Sequence, residues 1–218
     1  MNIQHKASVL ARTELFHGVD QETRTRIAER VIERGQFLFI QGAPSDRLFV
    51  LARGAVKVYA SSRGGDIVEL VRHHAPTVIG LIGLLDGYPH STTAEALERS
   101  TLLVIPRSEL LGLVRSEGHV AEALARALGV IARRTTQQVT ELAFLDLQGR
   151  VARQLLKLAG VGTRTRQVTQ GELATMVSGA RQTVNQVLRS LESRGYIRAA
   201  GRVFEILDRE RLEDLAEQ

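Results

Sequence analysis

Cysteine is absent from the 218 residues. Without thiols the chain forms no disulfide, no cysteine-ligated zinc site and no all-cysteine iron–sulfur cluster. Long apolar runs are missing too. No stretch reaches the roughly eighteen residues that a membrane span needs. The opening MNIQHKASVLARTELF holds no extended apolar segment of the secretory kind. The expected compartment is therefore the cytoplasm, with no membrane partner. Clustered metal ligands are scarce as well. Of six histidines only His73 and His74 are adjacent. Neighbours on a strand point to opposite faces, so these two cannot line one cavity. A metal enzyme built on a barrel is not expected, and neither is any other enzyme.

What is present is a foldable composition, 44% hydrophobic and 24% charged, in a length that suits one large or two modest domains. The net charge of +5 is unevenly spread. Between Gly149 and Phe204 stand ten Lys/Arg and only two acids, Glu172 and Glu192. From Glu205 onward there are six acids and two arginines. A basic block before an acidic tail suggests a polyanion-binding surface, although ordinary solvated charge gives the same count.

Residues 36–106 hold β-rich runs, FLFIQG, LFVLARG, AVKVYAS, DIVELV, TVIGLI and STLLVI. Gly42-Ala43-Pro44, Gly64-Gly65 and Asp86-Gly87 punctuate them. Strands at this spacing predict a β-sandwich or barrel. Before them, Arg12 to Glu33 reads as a helix with Leu15, Ile27 and Val31 as anchors. After Pro106 the pattern turns helical, first over Ser108–Ser116. A long helix is then expected from His119 to Leu145, about 40 Å at 1.5 Å per residue. Its stripe runs Ala121, Leu124, Leu128, Ile131, Thr135, Gln138, Leu142 and Leu145. Steps of three and four make a heptad seam that suits a second copy of the chain. Burial against its own barrel is the alternative. Thr135 and Gln138 are polar layers that set register or line a site at the seam. Asp146 can cap a helix from Leu147 to Ala159, which Gly160-Val161-Gly162 ends. The expected divisions are residues 1–118, 119–145 and 146–218.

The last of these carries the strongest pattern. Thr169-Gln-Gly-Glu172 reads as a capping box opening a short helix to Val177. Ser178-Gly179 supplies a turn. A second helix from about Ala180 to Arg194 buries Val184, Val187, Leu188 and Leu191 at i, i+3, i+4, i+7. Its other face presents Arg181, Gln182, Asn185 and Gln186, types that read base edges, with Arg favouring guanine and Asn or Gln adenine. Two short strands follow, with Arg198 and Arg202 available to phosphates. Each polar residue alone reads as plain surface. Together they predict a winged helix-turn-helix on double-stranded DNA. Its contact set is Thr169, Gln170, Arg181, Gln182, Thr183, Asn185, Gln186, Arg189 and Arg202.

These motifs resemble the catabolite-activator/FNR superfamily of bacterial transcription regulators over nearly the whole chain. Ile40-Gln-Gly-Ala-Pro44 and Leu51-Ala-Arg-Gly54-Ala-Val-Lys-Val58 match its β-roll. Leu142-Ala-Phe-Leu-Asp-Leu-Gln-Gly-Arg150 matches its hinge, and Thr169–Ala174 and Ala180–Asn185 match its helix-turn-helix. The closing Ile206-Leu-Asp-Arg-Glu-Arg-Leu212 is also similar. The resemblance implies an α+β fold: an N-terminal double-stranded β-helix (jelly-roll) domain of the cyclic-nucleotide-binding kind, a long dimerisation helix, and a C-terminal winged helix-turn-helix. It further implies a homodimer, a near-palindromic site and contact with RNA polymerase.

The departures concern the effector. The family's Gly-Glu pair, whose carboxylate takes a ribose hydroxyl, stands here as Gly80-Leu81. Its phosphate-binding Arg-Ser stands as His90-Ser91, followed by Thr92, and a neutral imidazole poorly replaces a bidentate cation. Thr135 and Thr136 keep the hydroxyls where cyclic-nucleotide-binding members contact adenine. The expected pocket set is therefore Gly80, Leu81, His90, Ser91, Thr92, Thr135 and Thr136, with a non-conventional effector or none. Cyclic AMP control through a degenerate pocket is one alternative. Haem sensing through His17, His73, His74 or His90 is another, though no local motif marks an axial pair. No cofactor is expected. In the reading helix Gln182 stands where a Glu is common and Gln186 where a second Arg is common, so the half-site is expected to differ there.

Overall fold

The computed structural model describes residues 3–16 and 27–217. The chain forms two compact units, one from Met1–Asp66 and Leu70–Ala132, the other from Ile67–Glu69 and Arg133–Gln218.

The first unit begins with α1 (Ile3–Ala11) and continues as a β-roll of β1 (Ala28–Ile32), β2 (Phe37–Phe39), β3 (Arg47–Arg53), β4 (Ala55–Ser61), β5 (Ile67–His74), β6 (Thr77–Ile79), β7 (Thr93–Ala96) and β8 (Ser100–Pro106). A short helix, α2 (Leu81–Asp86), lies between β6 and β7, and α3 (Arg107–Ser116) follows β8. Two four-stranded sheets result, ordered β1-β8-β3-β6 and β2-β7-β4-β5. Side chains alternate across each strand, so the facing positions make the interior. Ile32, Leu38, Phe39, Phe49, Leu51, Val56, Val58, Ala94 and Leu102 form that inner cluster. Leu48, Val50, Leu103 and Ile105, of opposite parity, join Leu10, Phe16, Leu81, Leu84 and Leu110 in a second cluster.

Two expectations need correction, and one strand carries no sequence signal. Arg12–Glu33 is not one helix. Its beginning is a turn with Glu14–Phe16 in a 3-10 helix, and its end is strand β1, paired antiparallel with β8 from Ala28↔Val104 to Ile32↔Ser100. The middle of that segment, with His17, lies outside the described residues. Cross-strand pairing outweighs the helix-forming side chains of Ala28, Glu29 and Arg30, and Val31 faces outward instead of anchoring a core. The run TVIGLI is only half a strand. Gly80 adopts φ 93°, a left-handed conformation that ends β6 and starts α2. Strand β7, TAEA, has little β propensity. It exists because its backbone pairs with β2 on one side and β4 on the other, while Ala94 and Ala96 point into the inner cluster.

The long helix α4 runs Gly118–Phe144. Leu145 follows it and is buried, and Asp146 caps α5 (Leu147–Ala159) by accepting from Gly149 N at 2.7 Å. Near the end of α4, Glu141 accepts from Lys157 Nζ at 2.8 Å and lies 3.6 Å from Arg153 Nη1, both on α5. The rest of the second unit is α6 (Gln170–Met176), α7 (Arg181–Ser193), the hairpin β9 (Ile197–Ala200) and β10 (Val203–Ile206), and α8 (Arg209–Glu217). Its core joins Val151, Leu155, Leu173, Val184, Leu188, Leu191, Ile197, Phe204 and Leu212. No helix among the described residues is long and apolar enough to cross a membrane.

Candidate nucleic-acid interface

The reading module is assembled from its turn outward. The Thr169 hydroxyl accepts from Glu172 N at 3.1 Å, and the Glu172 carboxylate accepts from Thr169 N at 2.8 Å and from its hydroxyl at 2.9 Å. This reciprocal box satisfies two orphan donors and fixes where α6 begins. The Thr169 hydroxyl is thus already engaged, while the neighbouring Gln170 is exposed.

The turn after α6 places Ser178 at φ 52°. The following residue must be glycine for a separate reason. A Cβ on Gly179 would lie 2.7 Å from Leu147 Cδ1 and 3.0 Å from Val184 Cγ2. Close approach of α5, α7 and the turn excludes a side chain there. Arg150 on α5 donates to the Val177 carbonyl at 2.9 Å, bracing the same turn.

Helix α7 buries Val184, Leu188 and Leu191. Arg181, Gln182, Thr183, Gln186 and Arg189 are exposed. Gln182, Gln186 and Arg189 stand at i, i+4, i+7, one stripe opposite the core. Asn185 does not share it. It is half-buried on the flank, and its Oδ1 is buried without a hydrogen-bond partner in the described structure. The sequence pattern grouped Asn185 with Gln182 and Gln186 because it counted turns without weighing the width of the buried face.

The wing pairs Ile206↔Ile197 to Val203↔Ala200. Gly201 and Arg202 form the exposed tip. Arg198 lies 3.3 Å from Glu205 on the opposite strand. Glu192 at the end of α7 accepts from Ala199 N at 2.9 Å, anchoring the hairpin to the reading helix.

The β-roll residues singled out for an effector are arranged differently. Leu81 is buried in the apolar cluster with Leu84 and Leu110. His90 is buried and stacks on Phe39, ring centroids 3.7 Å apart and planes within 6°. Phe39 also meets Phe49 at 6.0 Å, and a Cβ on Gly80 would lie 3.5 Å and 3.7 Å from those two rings. Burial, which strips water from the imidazolium, holds the His90 pKa below its ordinary value, and the charge of Asp46 opposes that only in part. Ser91 is exposed and Thr92 half-buried. Thr135 and Thr136, on the part of α4 that belongs to the second unit, are exposed. Sequence reasoning missed Phe39. Its signal was Leu38-Phe39, two consecutive apolar residues, where a register shift in the pairing of β2 with β7 buries both.

His73 is half-buried with Thr77 Oγ1 3.4 Å from its Nδ1, and His74 is exposed. Among the described residues no group of three or more His, Asp or Glu could hold a metal ion.

A capped helix-turn-helix with a wing, following a jelly roll and a long helix, defines a DNA-binding transcription regulator. Comparison with known proteins places it further. Residues 29–117 match the cyclic nucleotide-binding domain and residues 149–215 the Crp-like helix-turn-helix domain. A CRP-like cAMP-activated global transcriptional regulator from Mycobacterium tuberculosis is 31% identical over 216 residues, covering 94% of this chain and 96% of that one. The cyclic AMP receptor protein of Thermus thermophilus is 31% identical over 208 residues, 93% and 96% of the two chains. Among solved structures, the c-di-GMP responsive global regulator CLP of Xanthomonas campestris shares the fold, with TM-score 0.76 at 22% identity over 86% of this chain and 99% of its own. The chain belongs to the CRP/FNR superfamily of transcription regulators, and is not an enzyme.

Proposed function

We propose that this regulator works as a homodimer on a near-palindromic DNA site and binds that site without needing a cyclic nucleotide. The Phe39–His90 stack is the observation on which the effector part rests. A cyclic phosphate needs a cation and a cavity at that position. The imidazole there is buried, held toward its neutral form and covered by a phenyl ring. Leu81, turned into an apolar cluster, offers no acceptor for a ribose hydroxyl.

Pairing along α4 is supported by what its stripe leaves uncovered. Leu128 is 38% and Leu142 50% exposed, with Ile131 and Gln138 half-buried between them. Leu124 is already used in the core of the roll and Leu145 lies past the helix end, so the proposed seam is shorter than the sequence stripe. Exposed apolar residues in a heptad row need a partner helix. The proposed divisions remain 1–118, 119–145 and 146–218, with RNA polymerase as a further partner and the cytoplasm as the compartment.

Paired copies bring two α7 helices to successive major grooves, about 34 Å apart along the duplex. Arg181, Gln182 and Gln186 face the base edges in this arrangement, with half-buried Asn185 on the flank and Thr183 and Arg189 beside them. Arg181→Ala is expected to abolish site selection while leaving the dimer intact by sedimentation. Unchanged operator affinity would overturn the placement of the reading helix.

A second reading is cyclic AMP control through the surviving seam hydroxyls. It is favoured by the two relatives that are cAMP-activated or cAMP receptors by name, and by the exposure of Thr135 and Thr136. Calorimetric titration with a cyclic-nucleotide panel, with and without operator DNA, decides between them. The proposal expects no heat from any nucleotide and full DNA affinity in their absence. Saturable binding that raises DNA affinity establishes the second reading instead. A Soret band in the purified protein would establish haem sensing.

A further inference from the structure

We infer that the junction between α4 and α5 is a charge-locked elbow, in which Glu141 is the residue that positions the reading module on the long helix. The inference deepens the proposed function and rests on it. A regulator that reads DNA without a nucleotide needs its reading helix held in place by its own side chains.

The elbow concentrates its freedom at one residue. Leu145 N still donates to the Glu141 carbonyl at 3.1 Å, so helical bonding persists to the end of α4. Asp146 is then extended, with φ −67° and ψ 175°, and α5 begins at the next residue. A residue has only two soft dihedrals, so one side-chain tie across Asp146 restricts the angle between the helices.

Helix α5 is in turn one body with the reader. A Cβ on Gly149 would lie 2.8 Å from the Leu215 carbonyl oxygen, Arg153 Nη2 donates to the Ala216 carbonyl, and Arg209 donates at 2.7 Å to the carbonyls of Gly160 and Gly162. These contacts join α5 to α8 near its start, at its middle and past its end. Arg150 holds the Val177 carbonyl, and Leu147 packs against Gly179 in the turn before α7. Whatever fixes α5 on α4 therefore also fixes α7.

Glu141 supplies the tie. Its Oε1 accepts from Lys157 Nζ at 2.8 Å and from Gln137 Nε2 at 3.2 Å, and lies 3.6 Å from Arg153 Nη1. Its side chain is 17% exposed against 47% for Lys157, so water and salt screen the carboxylate less than in an ordinary surface pair. Both sides of the tie are unfavourable alone. Glu141 is the one acid between Arg133 and Leu145, and it stands in the last turn of α4, at the negative end of the helix dipole, with no base in that turn. Arg153 and Lys157 are like charges at i,i+4 on α5, a spacing that repels. Each placement is relieved by the other across the elbow. Removing the carboxylate loses the tie outright, whereas removing Lys157 leaves Arg153 to hold it.

The test measures the elbow directly. The chain has no cysteine, so two introduced thiols are the only sites for spin labels. Arg133→Cys on α4 and Glu210→Cys on α8 are at exposed positions. Labelled chain diluted into excess unlabelled chain reports the distance within one copy, whether or not copies pair. The distribution in the full chain should be narrow and unaltered by cyclic AMP. Glu141→Gln should shift and broaden it, Lys157→Gln should do so less, and the exchange of Glu141→Lys with Lys157→Glu should narrow it again. On DNA, Glu141→Gln should keep its affinity for a single half-site and lose the preference for one half-site spacing over spacings one base pair longer or shorter. Circular dichroism melts confirm that each variant is folded, and Lys157→Gln, at an exposed position, carries the same test at smaller amplitude. A native distance distribution in both glutamine variants overturns the inference. So does an equal loss of affinity on half-site and full site, which is the signature of a merely structural role. The two readings fail separately. Nucleotide heat with an unaltered narrow distribution overturns the nucleotide-free reading and leaves the elbow standing. A broad distribution in the unsubstituted elbow, with no nucleotide heat, overturns the elbow alone.

Discussion

The two halves of this regulator face their chemistry in opposite directions. In the β-roll the polar residue of greatest interest, His90, is turned inward and stacked on Phe39. In the winged helix Arg181, Gln182, Gln186, Arg189 and Arg202 are turned outward, and the apolar residues beneath them are fully used in packing. The inward group is packed against the roll's own side chains, and the outward set is open to solvent. Matching a family over its whole length does not by itself carry over each of its sites, because a site depends on particular side chains. A site survives only where the side-chain chemistry survives.

The largest expected effects test whether the halves are separable. Phe204 is 2% exposed in the winged-helix core and Phe39 9% exposed inside the roll. Truncating either phenyl ring to alanine should cost about 3–5 kcal/mol in its own unit. Phe204→Ala should abolish DNA binding. Phe39→Ala should speed amide exchange through β2, β7 and α2 while DNA affinity stays near native. If Phe39→Ala abolishes binding while exchange in α6 and α7 remains native, the roll controls the reader and the contrast drawn above fails. Gly179→Ala comes next, at about 1–3 kcal/mol, because its new methyl meets Leu147 and Val184 at under or about contact distance. It should shift the melt and weaken operator binding together, since the turn sets the angle between α6 and α7.

The unequal legibility of the two halves has the same origin. The winged helix could be read almost to the residue because its signals are local. A capping box spans four positions, and a helix face repeats every three or four. Asn185 was misplaced only in degree, by one flank of α7. The roll was legible as a class but not in detail because its strands are specified by distant partners. Strand β1 looks helical until β8 is beside it, and β7 carries no strand pattern until β2 and β4 are paired with it. Leu81 and His90 could be read as departures from the family's nucleotide motif. The ring that His90 meets could not be read, since the Phe39–His90 stack joins residues 51 positions apart, beside a shift in strand register.

A smaller effect sharpens the contrast from the DNA side. Thr169→Ala removes one half of the capping box and should cost about 1 kcal/mol. The loss belongs to helix stability, since the hydroxyl is bonded to Glu172 and not held ready for a phosphate. Operator affinity should fall no further than the melt predicts, and Thr169→Ser should restore both. A large loss of affinity at unchanged stability would instead make Thr169 a direct contact.

The smallest effect belongs to the inward site and is read through pH. Burial disfavours the charged form of His90 in the native roll, so its native pKa lies below that of the unfolded chain. Between those two values the unfolded state binds the additional proton, and stability rises with pH across that interval. The contribution is therefore complete above the ordinary imidazole range, about 6.5. It declines as acid is added and levels off once the native ring itself protonates. Amide exchange of β2 and β7 measured from neutral to mildly acidic pH should accelerate in wild type, and less so in His90→Gln. Exchange in α6 and α7 is expected to be indifferent to the substitution, because the core that holds them is built from other residues. An acid-induced rise in nucleotide binding would run the other way. It would mean that the protonated imidazole swings off Phe39 to become the cation the roll otherwise lacks, and the inward site would then be gated and not filled.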